Sequence, residues 1–234
     1  MSLRRIYAIA AKEAQDLRTN TNILVMYPVP VLIALIYARF IPAVPVSFAV
    51  AFGIMFMVVL GGIYIPAMMI AEEKEKNTLG VLMLSPATPL EVFVGKGIIT
   101  FASILVVSMI MMVVVGTGFV RLDVVLPAVS LGTVFAIFLG MTVGIYSKNQ
   151  MATGAIGMPA YLVLLLIPFL GMENTAIGRI ARYVPTYHLL RALMMALRDG
   201  TSIVGAVNEL LVLFGSCAAA LALLLAAYRW KGLE

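Results

Sequence analysis

The sequence predicts an all-α membrane protein, and composition, apolar run length and the space left over carry that reading. Hydrophobic residues make up 63% of the chain and charged residues 12%, against roughly 45–50% and 25% in soluble domains. Six apolar runs, at about 23–41, 48–70, 97–117, 124–146, 153–171 and 204–228, approach or exceed the ~20 residues that a helix needs to cross about 30 Å of hydrocarbon. Together they occupy most of the 234 residues, which leaves no room for a soluble domain of ordinary size. The expectation is one transmembrane domain over 1–234.

The elements follow in order. Met1 to Arg18 lacks an apolar core long enough for a secretory signal. It places Leu3, Ile6, Tyr7, Ala10, Ala14 and Leu17 at helical spacing, with Arg4, Arg5, Lys12, Glu13, Asp16 and Arg18 elsewhere. That pattern predicts an amphipathic basic helix lying at the membrane surface. The first span carries Pro28 and Pro30, and the fifth carries Pro159 and Pro168. Proline frees helix carbonyls, which in lipid need a partner or a wet cavity, so these are the candidate pathway helices; bending to fit the bundle is the plainer alternative. Gly132, Ala136, Gly140 and Gly144 recur every four positions in the fourth span, as do Ala218, Ala222 and Ala226 in the sixth. Such ladders let helices approach closely, and packing within the chain is favoured over a subunit interface.

The connection at 172–204 reads as two short helices on the outer side. Asn174-Thr175 caps the first, and Pro185-Thr186 starts a second that Gly200 ends. The second lies in the interface or dips into the membrane. The last helix is expected to run from Ser202 to Trp230, about 43 Å at 1.5 Å per residue. The single cysteine, Cys217, falls in that span and is read as a packing residue.

Basic residues set the orientation. With the N-terminus inside, Lys and Arg at 4, 5, 12, 18, 74, 76, 96, 148, 229 and 231 face the cytoplasm, ten against six outside (39, 121, 179, 182, 191 and 198). Both termini are then cytoplasmic. The net charge of +5 is accounted for by anionic lipid and needs no nucleic acid.

Chemistry is scarce. The span cores hold no Asp, Glu, Lys, Arg or His, which argues against an ion-driven or proton-driven carrier. There is no G-x-S-x-G elbow, no H-E-x-x-H metal pair and one histidine, His188, read as an interfacial side chain. No catalytic residue and no metal site are expected. The informative stretch is 71–96, AEEKEKNTLGVLMLSPATPLEVFVGK. Glu72, Glu73, Lys74, Glu75 and Lys76 abut the second span, and an apolar patch (Leu79, Val81, Leu82, Met83, Leu84) and Ser85-Pro86 follow. Thr88, Pro89 and Glu91 then form a capping box, and Lys96 is placed to snorkel to the interface. A simple tether needs only a few polar residues, whereas this one offers charge, an apolar docking patch and a helix start. A solvated hairpin is the bland alternative.

The order Glu73-Lys74-Glu75-Lys76, Thr78-Leu79, Leu82 and Leu84, Ser85-Pro86, Gly95-Lys96 resembles the first cytoplasmic loop of ABC type-2 exporter permeases. The likeness extends to the amphipathic N-terminal helix, the six spans and VPTYHLLRAL at 184–193; Asn77 and Gly80 depart from the family's usual Gly and Glu. The resemblance implies a non-catalytic cell-membrane permease that pairs with a second copy, or with a paralogue. A separate ATP-binding-cassette subunit would carry ATP and Mg, because this chain has no G-x-x-x-x-G-K-[ST] loop. It implies a cytoplasmic coupling helix between spans two and three, with Glu72, Glu73, Lys74, Glu75, Lys76, Thr78, Leu79, Leu82, Leu84 and Ser85 as ATPase contacts. Glu73 and Glu75 would face basic groups of that partner, and Leu82 would fill an apolar recess. Uncharged spans favour an apolar or amphiphilic cargo such as a drug or lipid. A stand-alone channel, a flippase or an assembly scaffold fits the same spans.

Overall fold

The computed structural model describes residues 2–76 and 88–231. All regular structure among them is helical: α1 (Leu3–Thr19), α2 (Thr21–Leu24), α3 (Pro28–Phe40), α4 (Val46–Glu75), α5 (Pro89–Val115), α6 (Leu122–Tyr146), α7 (Gln150–Glu173), α8 (Thr175–Ala181), α9 (Pro185–Leu197) and α10 (Val207–Lys231). Among the described residues six stretches are long and apolar enough to cross a membrane: α2 with α3, then α4, α5, α6, α7 and α10. The expected capping box is present in full, with Thr88 and Glu91 each bonding the other's backbone N–H.

Burial ranks the spans. α4 is apolar on every face, as a helix surrounded by others must be, and it packs against α3, α5, α6, α7 and α9. Its main neighbour is α6, and the glycine ladder is the reason. A Cβ on Gly140 would sit 2.4 Å from the Ile63 carbonyl oxygen and 2.5 Å from that of Gly62. The Gly62 carbonyl has no helical donor, because residue 66 is proline. Bare glycine lets α6 close over that gap. Gly144 does the same against Ala67 and Ile70 one turn on. This ladder packs within the chain, as expected. The α10 ladder does not: Ala218, Ala222 and Ala226 are exposed, and α10 instead turns Leu213, Cys217, Ala220 and Leu224 inward.

Two further departures have local causes. The first span is not one helix, because Pro28 and Pro30 lack the donors that would bond the carbonyls of residues 24 and 26. A turn at 25–27 therefore separates α2 from α3. The last helix starts at Val207 rather than Ser202, since residues 203–206 form turns held by bonds from Gly205 and Ala206 to the Ser202 carbonyl. Its 25 residues run about 37 Å without a break.

Pro159 and Pro168 both lie inside the uninterrupted α7. Pro168 frees the Leu164 carbonyl, and the buried Thr186 hydroxyl at the start of α9 donates to it. Around that anchor α9 buries Leu189, Leu190 and Leu193 completely, packed against α4, α6, α7 and α10. The helix is thus part of the bundle. Replacing Thr186 with Val should lower stability by about 1–3 kcal/mol by leaving a buried carbonyl unmet, while Thr186→Ser should stay close to the parent. Thermal unfolding of the detergent-purified chain reads the difference, and equal loss for both variants would contradict the anchor.

Candidate functional site

At 1.5 Å per residue the 30-residue α4 is about 45 Å long, so its last turn and a half reaches past the hydrocarbon. That end is AEEKE, and successive helical side chains are about 100° apart. Each charge therefore meets a different neighbour. Glu72 accepts from the Asn20 side chain at the start of α2, 3.0 Å, and pairs with Lys76 one turn on. Lys74 donates to the Ile145 carbonyl at the end of α6, 2.6 Å. Glu75 accepts from the Gln150 backbone N–H at the start of α7, 3.1 Å.

Glu73 points into the molecule. Its Oε1 lies 2.9 Å from the Lys96 Nζ of α5 and 2.9 Å from the Lys12 Nζ of α1. Glu13 joins from α1, 2.7 Å from Lys96 and 3.2 Å from Lys12, and Asp16 closes the rim 3.3 Å from Lys12. Lys96 is 1% exposed, Glu13 2% and Glu73 5%. Two lysines against two buried glutamates leave the centre neutral, the condition under which buried charge is tolerated. Burial alone would lower the Lys12 pKa, but the bond and charge of Glu73, with the charge of Glu13, outweigh it and hold the ammonium above the ordinary value of 10.5. A raised lysine pKa stabilises fully below the unfolded value and loses that contribution only as pH climbs through the folded one. The Lys12 contribution is therefore complete at neutral pH.

Two expectations change here. Lys96 does not snorkel to the interface but is the buried centre of an ionic cluster. Glu73 does not present its carboxylate at the surface, because it lies on the side of α4 that faces α1 and α5. The α1 face is also redrawn: Ile6, Ile9, Ala10, Glu13 and Leu17 are buried, whereas Leu3 and Tyr7 are exposed. Close approach to α5 at Gly95, where an added Cβ would meet Ile9 at 2.7 Å, brings Glu13 to Lys96. Farther along the same seam Glu91 accepts from the Ser2 backbone N–H, with Arg5 3.7 Å away. Sequence reasoning missed Lys12, Glu13 and Asn20 as members of this site. The available signal was Glu13 itself, a charge in helical register with Ile6, Ile9, Ala10 and Leu17. Thr78, Leu79, Leu82, Leu84 and Ser85, with most of the expected coupling helix, lie outside the described residues.

A smaller polar group sits at the other end of the bundle. His188 pairs through Nδ1 with the buried Glu209 carboxylate, its Nε2 lies 2.9 Å from the Arg182 carbonyl oxygen, and Arg191 reaches Glu209 at 3.2 Å. It ties α9 to the start of α10. Among the described residues no three His, Cys, Asp or Glu side chains gather as a metal site.

Hydrophobic spans and a helix end wired to its neighbours are the setting for the comparison with known families. The family model described as ABC-2 family transporter protein matches residues 17–226. The chain belongs to the ABC-2 transporter family. No curated protein matches it as a relative. ABC-2 membrane subunits are generally non-catalytic and work with ATP-binding-cassette ATPase partners. The ionic cluster of this ABC-2 chain thus lies at the root of the segment that leads from α4 to α5.

The cluster makes a graded prediction. Glu73→Gln should cost about 3–5 kcal/mol, because it leaves Lys96 buried beside a single carboxylate, while Glu75→Gln, exposed, should cost under about 1 kcal/mol. Thermal unfolding in detergent compares them. Similar losses would mean that the cluster does not hold the three helices together.

Proposed function

We propose that this chain is the permease subunit of an ATP-binding-cassette exporter, with both termini and the 76–88 segment in the cytoplasm. Two copies, or one copy and a paralogue, would assemble in the cell membrane with two ATPase subunits that bind ATP and Mg. The cargo would be apolar or amphiphilic, since the span interiors offer it no fixed charge. The observation that carries this reading is the wiring of the α4 end. α1, α2, α5, α6 and α7 all bond to residues 72–76, either directly or through Lys96 and Asn20. A push delivered to the segment after Lys76 would reach four spans besides α4, with no other connection needed.

Within this reading the contact roles divide. Glu73 and Lys96 hold the lever, and the apolar residues of 78–85 together with Glu72, Glu75 and Lys76 meet the partner. Pro28, Pro30, Pro159 and Pro168 mark the helices proposed to line the pathway. Assembly with the ATPase is the test. A buried apolar anchor contributes about 1.5–3 kcal/mol, so Leu82→Asp should abolish copurification of the ATPase while the permease keeps the parent's thermal stability. Glu73→Ala should act the opposite way, lowering stability first and assembly only as a consequence. Intact copurification and transport in Leu82→Asp would remove the segment as the docking element.

A further inference from the structure

We propose that the end of α10 and the groove beside it form a binding site for an anionic phospholipid of the leaflet on the α1 side. Calling that leaflet cytoplasmic rests on the orientation proposed above. The groove runs between α5 and α10 over the face of α6, and it encloses about 430 Å3. Phe93, Gly97 and Phe101 form one wall, Leu221 and Leu225 the other, and Met141 lies in the floor. Among the described residues Tyr228 is the sole lining residue with a side-chain oxygen or nitrogen, and its ring packs edge-on against Phe93. Along α5 the groove extends from Leu90 to Phe101, a rise of about 16 Å. Lys96, level with Glu73 at the edge of the hydrocarbon, lies midway along that rise, so the groove runs from headgroup level into one leaflet and suits the upper part of one acyl chain.

The charge at the groove's α1-side end supplies the other half of the ligand. Arg229 follows Tyr228 directly, one turn beyond Leu225, and with Trp230 lines the depression on the other side of α10, which shares Leu225 with the groove. Lys231 places its ammonium 5.1 Å above the Tyr146 ring, next to the Ile145 carbonyl that holds Lys74. Among the described residues no carboxylate forms an ion pair with Arg229 or Lys231. Trp230 between them is 93% exposed, the side chain that favours the headgroup level of a bilayer. Cations at the headgroup level, an interfacial tryptophan and an apolar groove that enters the leaflet match a phosphate-bearing headgroup on an acyl chain. A second copy of the chain fits less well, because a two-fold contact through this face would set the same cations against each other.

Trp230 is the only tryptophan in the chain, so its fluorescence reports the site. The full chain would be reconstituted in phosphatidylcholine vesicles, and the bulk lipid replaced stepwise by acyl-brominated phosphatidylglycerol or acyl-brominated phosphatidylcholine. Half-maximal quenching by the anionic lipid should occur at a mole fraction roughly tenfold lower. Arg229→Gln with Lys231→Gln should erase that preference without changing thermal stability, since both side chains are exposed. Gly97→Leu, which fills the groove, should weaken quenching by the anionic lipid with the cations intact. Equal quenching by the two lipids, or a preference that survives the double charge variant, overturns the proposal. So does a double variant that loses its ATPase partner while quenching stays unchanged, because the patch is then a protein-docking surface. The vesicle result does not depend on which way the chain faces. A cysteine at position 76 labelled from outside the cell would overturn the orientation alone.

Discussion

The buried contact of Glu73 with Lys96 is the constraint on which the rest of this structure depends. Isolated charge at the edge of hydrocarbon is expensive, and it persists only where a fixed partner meets it. Here the partners come from three helices far apart in sequence, at residues 12–13, 73 and 96. Meeting them fixes the rotation of α4, seats α1 along α5, and sets where the segment after Lys76 must begin. The other charges of the run then fall on α2, α6 and α7 because the helix geometry leaves them nowhere else to point.

The opposite end of the bundle is held by a different device. Pro168 opens α7, Thr186 closes the opening from α9, and Glu209 holds His188 and Arg191 against the start of α10. Between the two polar ends the contact of α4 with α6 is nearly featureless, with glycine and alanine set against backbone. In lipid such close packing replaces the hydrophobic driving force that a soluble core would use. A bundle tied by polar contacts at both ends and smooth in between suits helices that pivot, provided that the ties move with them.

Much of this was legible in the sequence. Span number and approximate bounds follow from apolar run length, and the Thr88–Glu91 capping box and the Asn174 cap follow from residue type and spacing. The intrachain use of the Gly132–Gly144 ladder was legible too. What failed, failed for definable reasons. Residues 202–206 are as apolar as the helix they precede, so composition does not separate turn from helix there. The outward face of Ala218, Ala222 and Ala226 depends on which side of α10 meets α6, and a small-residue repeat carries no such direction. Glu73 read as surface charge because a run of alternating charges on one segment looks solvated. Its partners lie 61 positions earlier and 23 positions later in the chain, and a single sequence does not display that pairing. Only Glu13, in register with the apolar residues of α1, betrayed a buried ionic partner.

The most direct test of the account is a double-mutant cycle on Glu73 and Lys96, read as thermal unfolding of the purified chain. Glu73→Gln and Lys96→Met each strand a buried group, so each should unfold well below the parent. Combined, they remove the mismatch that each creates, and the double variant should lose far less than the sum, with a coupling of about 0.5–3 kcal/mol. Additive losses would show that the two side chains do not sense each other. The ionic cluster would then not be what fixes α1, α4 and α5 together.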